Sequence, residues 1–378
     1  MSKIYNKIVV ASDSFKGSLT SLQVAQAVEK AVHEMCSSCE VVKVNVADGG
    51  EGTMDALQQT LGGRRVSLTV SDPLGRPVEA SYVILEDNVT AVLEMSSASG
   101  ITLLAPDERN PLRTSSIGTG ELIRDALDKG CRKFLIGIGG SATNDAGMGM
   151  LHALGYRFNG ESGIELAPKG ESMIRVSSID MSSRHPALDD AEFIIACDVK
   201  APLYGKEGAA YVFAPQKGAD EDMVAALDEG LRKFAEVAEE KMEYDCSGFE
   251  GAGAAGGLGF AFMQFLGARL ENGVEMVLDA IHFDEILKGT DLVITGEGRV
   301  DSQTLIGKTP FGVAQRASRY GIPVVVLGGS VALDKSQAHL VGFKDVLQVT
   351  PEGMPHDKAM KSEVAMENVY QTIKSFLE

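Results

Sequence analysis

Acidic side chains stand just beyond several runs of β-branched residues. Asp13 follows IYNKIVVAS (4–12), Asp48 and Glu51 follow EVVKVNVA (40–47), and Glu297 and Asp301 follow DLVIT (291–295). Lys16, Arg299 and Lys308 share these segments, while Asp145 and Asp198 stand after KFLIGI (133–138) and EFIIA (192–196). Carboxylates mixed with cationic side chains and glycine loops suit a divalent cation and phosphoryl groups. Magnesium takes oxygen ligands and usually only one or two protein carboxylates. Phosphoryl transfer needs positioning, charge neutralisation and a base for the attacking hydroxyl. Each acid alone could instead cap a helix, since aspartate is a favoured N-cap. Asp145 fits that role best.

The glycine loops give a second set of candidates. GIGGSA (137–142) has the G-x-G-x-x-[GA] spacing after a strand and before a helix, but no acid follows at the distance needed to hold a ribose. GAGAAG (251–256) has the same spacing with no strand before it. SQTLIGKT (302–309) approaches a phosphate-binding G-x-x-x-x-G-K-[ST] loop, with Ser302 where the first glycine belongs. The physics outlasts the failed motifs, because a glycine loop feeding a helix presents free N–H groups and a positive dipole to an anion. Lys308, with Thr309 as N-cap and Pro310 following, is well placed for phosphate. Gly49, Gly50, Gly139, Gly140, Ser141, Asn144, Gly253, Gly256, Gly257 and Gln303 complete the set of candidate substrate and phosphate contacts.

The elements that must position these groups follow an α/β grammar at both ends of the chain. A strand at 4–12 leads to a helix running to about Met35, capped by Thr20 or Ser21, with Leu22, Ala25, Val28 and Val32 at helical spacing. A strand at 40–47 and a helix ending near Leu61 follow. DLVIT, a helix over Phe311–Tyr320, IPVVVLGG (322–329), KDVLQVT (344–350) and a last helix over Asp357–Phe376 repeat the pattern. Between them, RRVSLTV, ASYVILE and VTAVLEM alternate like an antiparallel meander. The expected fold is a doubly wound, mostly parallel Rossmann- or flavodoxin-like sheet domain, residues 1–63 plus 284–378, interrupted by an inserted mixed α/β domain, residues 64–283.

Composition narrows the function. With 35 basic and 53 acidic side chains the net charge is −18, which repels phosphate backbones and anionic membrane surfaces. No leader peptide is visible, and the apolar stretch 251–268 reads as a buried glycine-rich turn plus helix rather than a membrane span. Five cysteines without disulfide spacing fit a reducing cytoplasm. Cys36 and Cys39 form a C-x-x-C pair at the end of a helix, where the dipole disfavours thiolate. The partners expected are therefore small molecules, without nucleic acid or membrane, in a protein compatible with a homo-oligomer.

Taken together, DSFKGSLTS (13–21), ADGGEGT (47–53), NPLRTSSIGTGELI (110–123), GIGGSATNDAGMGML (137–151), CDVKAPLYGKEGAA (197–210), FAPQKGA (213–219), GAGAAGGLG (251–259) and DLVITGEGRVDSQTLIGKTPFGVA (291–314) closely resemble the bacterial glycerate kinase family. These segments span nearly the whole chain in family order. Ala146 stands where the family often has glycine, and Arg113 where an apolar residue is commoner.

The resemblance implies ATP-dependent phosphorylation of D-glycerate, typically on the 2-hydroxyl to give 2-phosphoglycerate, with Mg²⁺. It also implies a discontinuous α/β domain carrying an inserted second domain, with the site in the cleft between them. On this reading Asp48 or Asp13 serves as base, and Lys16, Arg299 and Lys308 hold the glycerate carboxylate or the ATP phosphates. Glu297, Asp301 and Asp198 are the expected metal ligands. An NAD(P)-dependent oxidoreductase, a metabolite-binding protein, and the same kinase acting on the 3-hydroxyl or another small hydroxy acid are the competing readings.

Overall fold

The computed structural model describes residues 5–50, 52–305, 307–333 and 335–378. In chain order the strands are β1 (Lys7–Ser12), β2 (Glu40–Asn45), β3 (Arg64–Ser71), β4 (Pro77–Ile84), β5 (Thr90–Glu94), β6 (Lys133–Gly137), β7 (Arg157–Asn159), β8 (Ser178–Asp180), β9 (Glu192–Ala196), β10 (Arg269–Glu271), β11 (Leu292–Val300), β12 (Val324–Val331) and β13 (Phe343–Gln348). The chain divides into two compact units. Unit 1 comprises Met1–Asp48, Asp55–Thr60 and Val277–Glu378, and unit 2 comprises Gly49–Met54 and Leu61–Met276.

Unit 1 is a five-stranded parallel sheet in the order β13-β12-β11-β1-β2. Ile8, Val9, Val10 and Ala11 are consecutive and all fully buried, because helices cover both faces of a parallel sheet and leave no polar face to alternate with. Helix Ser21–Met35 turns Val24, Val28, Ala31 and Val32 inward, where they share one core with Ile8, Val10 and the C-terminal helix Ser362–Leu377. Its start is a capping box. Thr20 Oγ1 accepts from the N–H of Gln23, and Gln23 Oε1 accepts from the N–H of Thr20. Thr20→Ala removes one half of this exchange and is expected to cost about 1 kcal/mol. A shift in the urea midpoint at unchanged slope would show it, and an unmoved midpoint would show that the cap contributes nothing here.

One expectation needs correcting. The residues after DLVIT read as a loop, yet β11 continues through GEGRV to Val300; β12, expected over 322–329, runs to Val331. Close strand pairing requires glycine in both strands. A Cβ on Gly296 would lie 2.5 Å from the carbonyl oxygen of Leu327, and one on Gly329 would lie 2.6 Å from that of Gly298. Glu297 and Arg299 therefore stand two residues apart within one strand, and so on one face of it.

Unit 2 holds a six-stranded mixed sheet, β10-β9-β6-β5-β4-β3, and the β7–β8 hairpin. The meander β3-β4-β5 is antiparallel, and β5, β6, β9 and β10 then pair in parallel. The Phe134 and Phe193 rings stack at 4.8 Å across the parallel half, and Phe234, Phe260, Phe262 and Phe265 continue the core. Residues 251–268 form the buried turn and helix that the sequence suggests. Ala255, Gly256 and Gly257 are three successive left-handed residues there. The turn is needed because Gly256 packs directly on the Thr143 carbonyl, which a Cβ would approach to 2.0 Å. No helix among the described residues is long and apolar enough to cross a membrane.

Candidate active site

The strand order of unit 1 reverses between β1 and β11, since β2 lies on one side of β1 and β11, β12 and β13 lie on the other. In open α/β sheets ligands bind outside the carboxyl ends of the strands at such a switch point. A cavity of about 790 Å³ lies there. Asp13, Lys16, Asp48, Glu297, Arg299 and Lys308 all line it. The wall also carries Phe15, Val349, Pro351, Met354 and Met360, so charged and apolar surface share one chamber.

Asp13 leaves β1 with its N–H bonded to the carbonyl of Gly296 at 2.9 Å, which ties the first residue after β1 to β11. Its side chain accepts from the Ser14 N–H at 2.6 Å and from Thr309 Oγ1 at 3.3 Å. Burial, reinforced by the charge of Asp48, pushes its carboxyl up to about 6, against the pull of the Ser14 N–H, Lys16 and Thr309. Glu297 is held on both oxygens, with Thr304 Oγ1 at 2.5 Å and Lys308 Nζ at 3.1 Å. Asp301 accepts from the Gln303 N–H at 2.9 Å and faces Arg299 Nε at 3.2 Å. The rest of the exposed Arg299 side chain remains toward solvent. Lys308, not Thr309, takes the N-cap backbone position of helix Thr309–Arg319, which keeps its side chain at the cavity wall.

The remaining candidates belong to unit 2, except Glu51, which lies outside the described residues. Gly49 adopts φ +83°, and a Cβ there would lie 2.6 Å from both Ala196 Cβ and Gly273 Cα. The carbonyl of Gly49 lies against Gly137, and Gly50 near Gly139, so both follow the carboxyl edge of β6 and β9. Gly139 and Gly140 are exposed just after β6, while Ser141 and Asn144 are buried. Asp198 accepts from Asn272 Nδ2 at 2.5 Å and from the Gly273 N–H at 3.1 Å, at the start of helix Gly273–Ala280. The N–H of Gly253 is donated to the carbonyl of Ala201, and a Cβ at 253, 256 or 257 would collide with backbone at 2.3, 2.0 or 2.8 Å. Close packing alone requires glycine at these three positions. Asp145 is wholly buried, accepting from Ser116 N–H and Oγ and from the N–H groups of Gly147 and Gly149. Gly147, not Asp145, takes the N-cap position of helix Met148–Ala153, and Asp145 reaches the start of that helix from two residues before it. Burial pushes its carboxyl up while these donors pull it down.

The glycerate kinase family model matches residues 8–378. The chain belongs to the glycerate kinase family. A glycerate kinase of Bacillus subtilis (strain 168) is 45% identical over 355 residues, 94% of this chain and 93% of that protein. A glycerate 2-kinase of Escherichia coli (strain K12) is 46% identical over 343 residues, covering 91% of this chain and 90% of that protein. A crystal structure described as glycerate kinase 2 from Salmonella typhimurium LT2 superposes with a TM-score of 0.91 at 43% identity, over 99% of this chain and 98% of that one. Membership makes the chain an enzyme with glycerate kinase activity.

Within that family frame, two features stand out that the sequence reading gave no role. One is the segment Val349–Met360, whose apolar side chains complete the cavity of unit 1. It follows β13 as a turn and the short helix His356–Ala359, with no motif to mark it. The other is Lys217, in FAPQKGA, which reaches Ser141 from 76 residues away and is only 2% exposed. A single lysine before a glycine gives no sign of burial, and no periodicity could have found it.

Proposed function

We propose that the enzyme transfers the terminal phosphoryl group of ATP to the 2-hydroxyl of D-glycerate, with Mg²⁺, giving 2-phospho-D-glycerate and ADP. The observation that carries this reading is Asp13, whose carboxyl is raised to about 6 beside Lys16 in the cavity at the switch point. A carboxylate raised toward neutrality is a better proton acceptor than an ordinary aspartate, yet remains ionised at pH 7. The glycerate hydroxyl oxygen forms its bond to the terminal phosphorus, the bond from that phosphorus to the ADP oxygen breaks, and the hydroxyl proton passes to Asp13. Asp48 holds the pKa of Asp13 up by its charge. Lys16, Arg299 and Lys308 offset the negative charge of both substrates in a protein that is otherwise strongly acidic.

The residues present fit Mg²⁺. Among the described residues no group of three or more His, Cys, Asp or Glu is placed to hold a metal, and magnesium beside phosphates needs only one or two carboxylates. Glu297 and Asp301 would hold it, each carboxylate oxygen keeping a lone pair beyond its present partner. Bound there, the ion would neutralise charge on phosphate oxygens. Asp198, on unit 2, accepts from Asn272 and Gly273 through a single oxygen.

The name of the Escherichia coli relative, a glycerate 2-kinase, supports the 2-hydroxyl as acceptor. Proton-coupled ³¹P NMR of the product tests it. Phosphate on C2 couples to one proton and gives a doublet, whereas phosphate on C3 couples to two and gives a triplet. A doublet is expected, and a triplet would move the reaction to the 3-hydroxyl.

A further inference from the structure

Lys217 is a buried cation with no part in the cavity of unit 1. Its Nζ donates to Ser141 Oγ and to the Thr143 carbonyl, each at 2.6 Å. Both bonds are of charge-assisted length. A serine oxygen that accepts from an ammonium must turn its own hydrogen elsewhere. Among the described residues no acceptor meets that hydrogen. Ser141 directly follows Gly139 and Gly140, which are exposed at the carboxyl end of β6. Three residues on, Asn144 is fully buried with neither its side-chain oxygen nor its nitrogen partnered. A buried amide left without partners is costly unless a ligand or solvent completes it. The same short segment thus offers a hydroxyl hydrogen aimed away from a cation, an unfilled amide, and a backbone open to close approach.

We infer that Lys217 acts through Ser141 as a positioning residue, and that Gly139–Ser141 with Asn144 forms a subsite for an anionic oxygen, a carboxylate or a phosphate, of one of the two substrates. The inference rests on the kinase reading above and adds to it the group that charges this loop. Burial pushes the Lys217 ammonium down to about 7, with the charge of Asp145 opposing. Asp145 is the charged group that acts on it; next to it in the chain, Gly218 packs on the backbone of Arg109, whose Nε is buried without a partner, and Asp220 accepts from the Met223 N–H. Anion binding favours the charged form of Lys217. Affinity for the bound anion is therefore greatest below pH 7 and falls as pH rises through it.

Steady-state kinetics of the full-length enzyme with glycerate and with ATP varied in turn, from pH 6.5 to 9, tests this with Lys217→Met and Ser141→Ala. Each variant is expected to raise one KM by about tenfold, the loss of one hydrogen bond to a charged group, with kcat held within about threefold. An increase confined to glycerate identifies a carboxylate, and one confined to ATP identifies a phosphate. The rise of that KM with pH in the wild type should be flattened in Lys217→Met. Ser141→Ala keeps the lysine in place and carries the test if Lys217→Met does not fold. If both KM values stay at wild-type level in the folded variants, or if only kcat and thermal stability fall, the inference is overturned. Wild-type enzyme that fails to phosphorylate glycerate would instead defeat the kinase reading itself, so the two failures are distinct.

Discussion

Asp13→Asn is expected to lower kcat by about 10²- to 10⁴-fold, the usual contribution of a positioned general base. The substitution keeps the shape of the side chain, and its oxygen can still accept from the Ser14 N–H. What it removes is the basic oxygen pair that burial and Asp48 have raised to about 6. In the wild type kcat/KM should decline as pH falls through that value, because protonated Asp13 cannot accept the hydroxyl proton, and the residual activity of Asp13→Asn should lack this limb. Folding gives an independent control with the opposite sign. A carboxyl whose pKa is raised in the folded state favours its neutral form there. The stability linked to that form is complete below the unfolded value near 3.8 and is lost as pH rises through 6. At pH 8 the asparagine variant should therefore melt no lower than the wild type. Turnover within threefold of wild type, in a variant that melts normally, would remove Asp13 from the role of base.

The parallel sheet of unit 1 was legible because its strands are short apolar runs punctuated by turn residues, the pattern a doubly covered sheet imposes. The meander Arg64–Glu94 was legible from its alternation, and Glu192–Ala196 from an uninterrupted apolar run. Glycine was the hardest residue to read. In GEGRV it marks a strand so closely paired that a Cβ would strike a carbonyl, whereas by composition it reads as loop. In GAGAAGG it forms a left-handed turn pressed onto Thr143–Ala146, a packing role that the spacing does not announce. In both places glycine answers to a partner distant in sequence, which no local pattern encodes. The charged side chains that line the unit 1 cavity were easier to single out, because all six come after an apolar run that hydropathy reveals, even where the strand continues beyond it. Their partners could not be found in that way. That Glu297 is tied to both Thr304 and Lys308, or that Lys217 lies beneath Ser141, depends on how loops return across the sheet.

Asp145→Asn is expected to destabilise unit 2 by about 3–5 kcal/mol, since each buried N–H left without an acceptor costs roughly 1–3 kcal/mol. The reason is the chemistry of its surroundings. Every group that meets this carboxylate is a donor, namely the N–H groups of Ser116, Gly147 and Gly149 and the Ser116 hydroxyl. The hydroxyl cannot turn round without cost, because its oxygen already accepts from the Met150 N–H at 3.0 Å. A carboxylate, which only accepts, satisfies them all. An asparagine would place two N–H bonds among donors and leave at least one of them facing a donor in a site with no exposure. Asparagine should therefore be nearly as damaging as alanine here, although it differs from aspartate by one heavy atom. Against a total stability of roughly 5–15 kcal/mol for a domain, either change should lower the thermal midpoint and the yield of folded enzyme. Because Asp145 holds the start of helix Ile117–Asp128 and of helix Met148–Ala153 at once, native-state hydrogen exchange should show both helices opening together. Loss of protection in one helix alone would mean that the two are not coupled through this carboxylate.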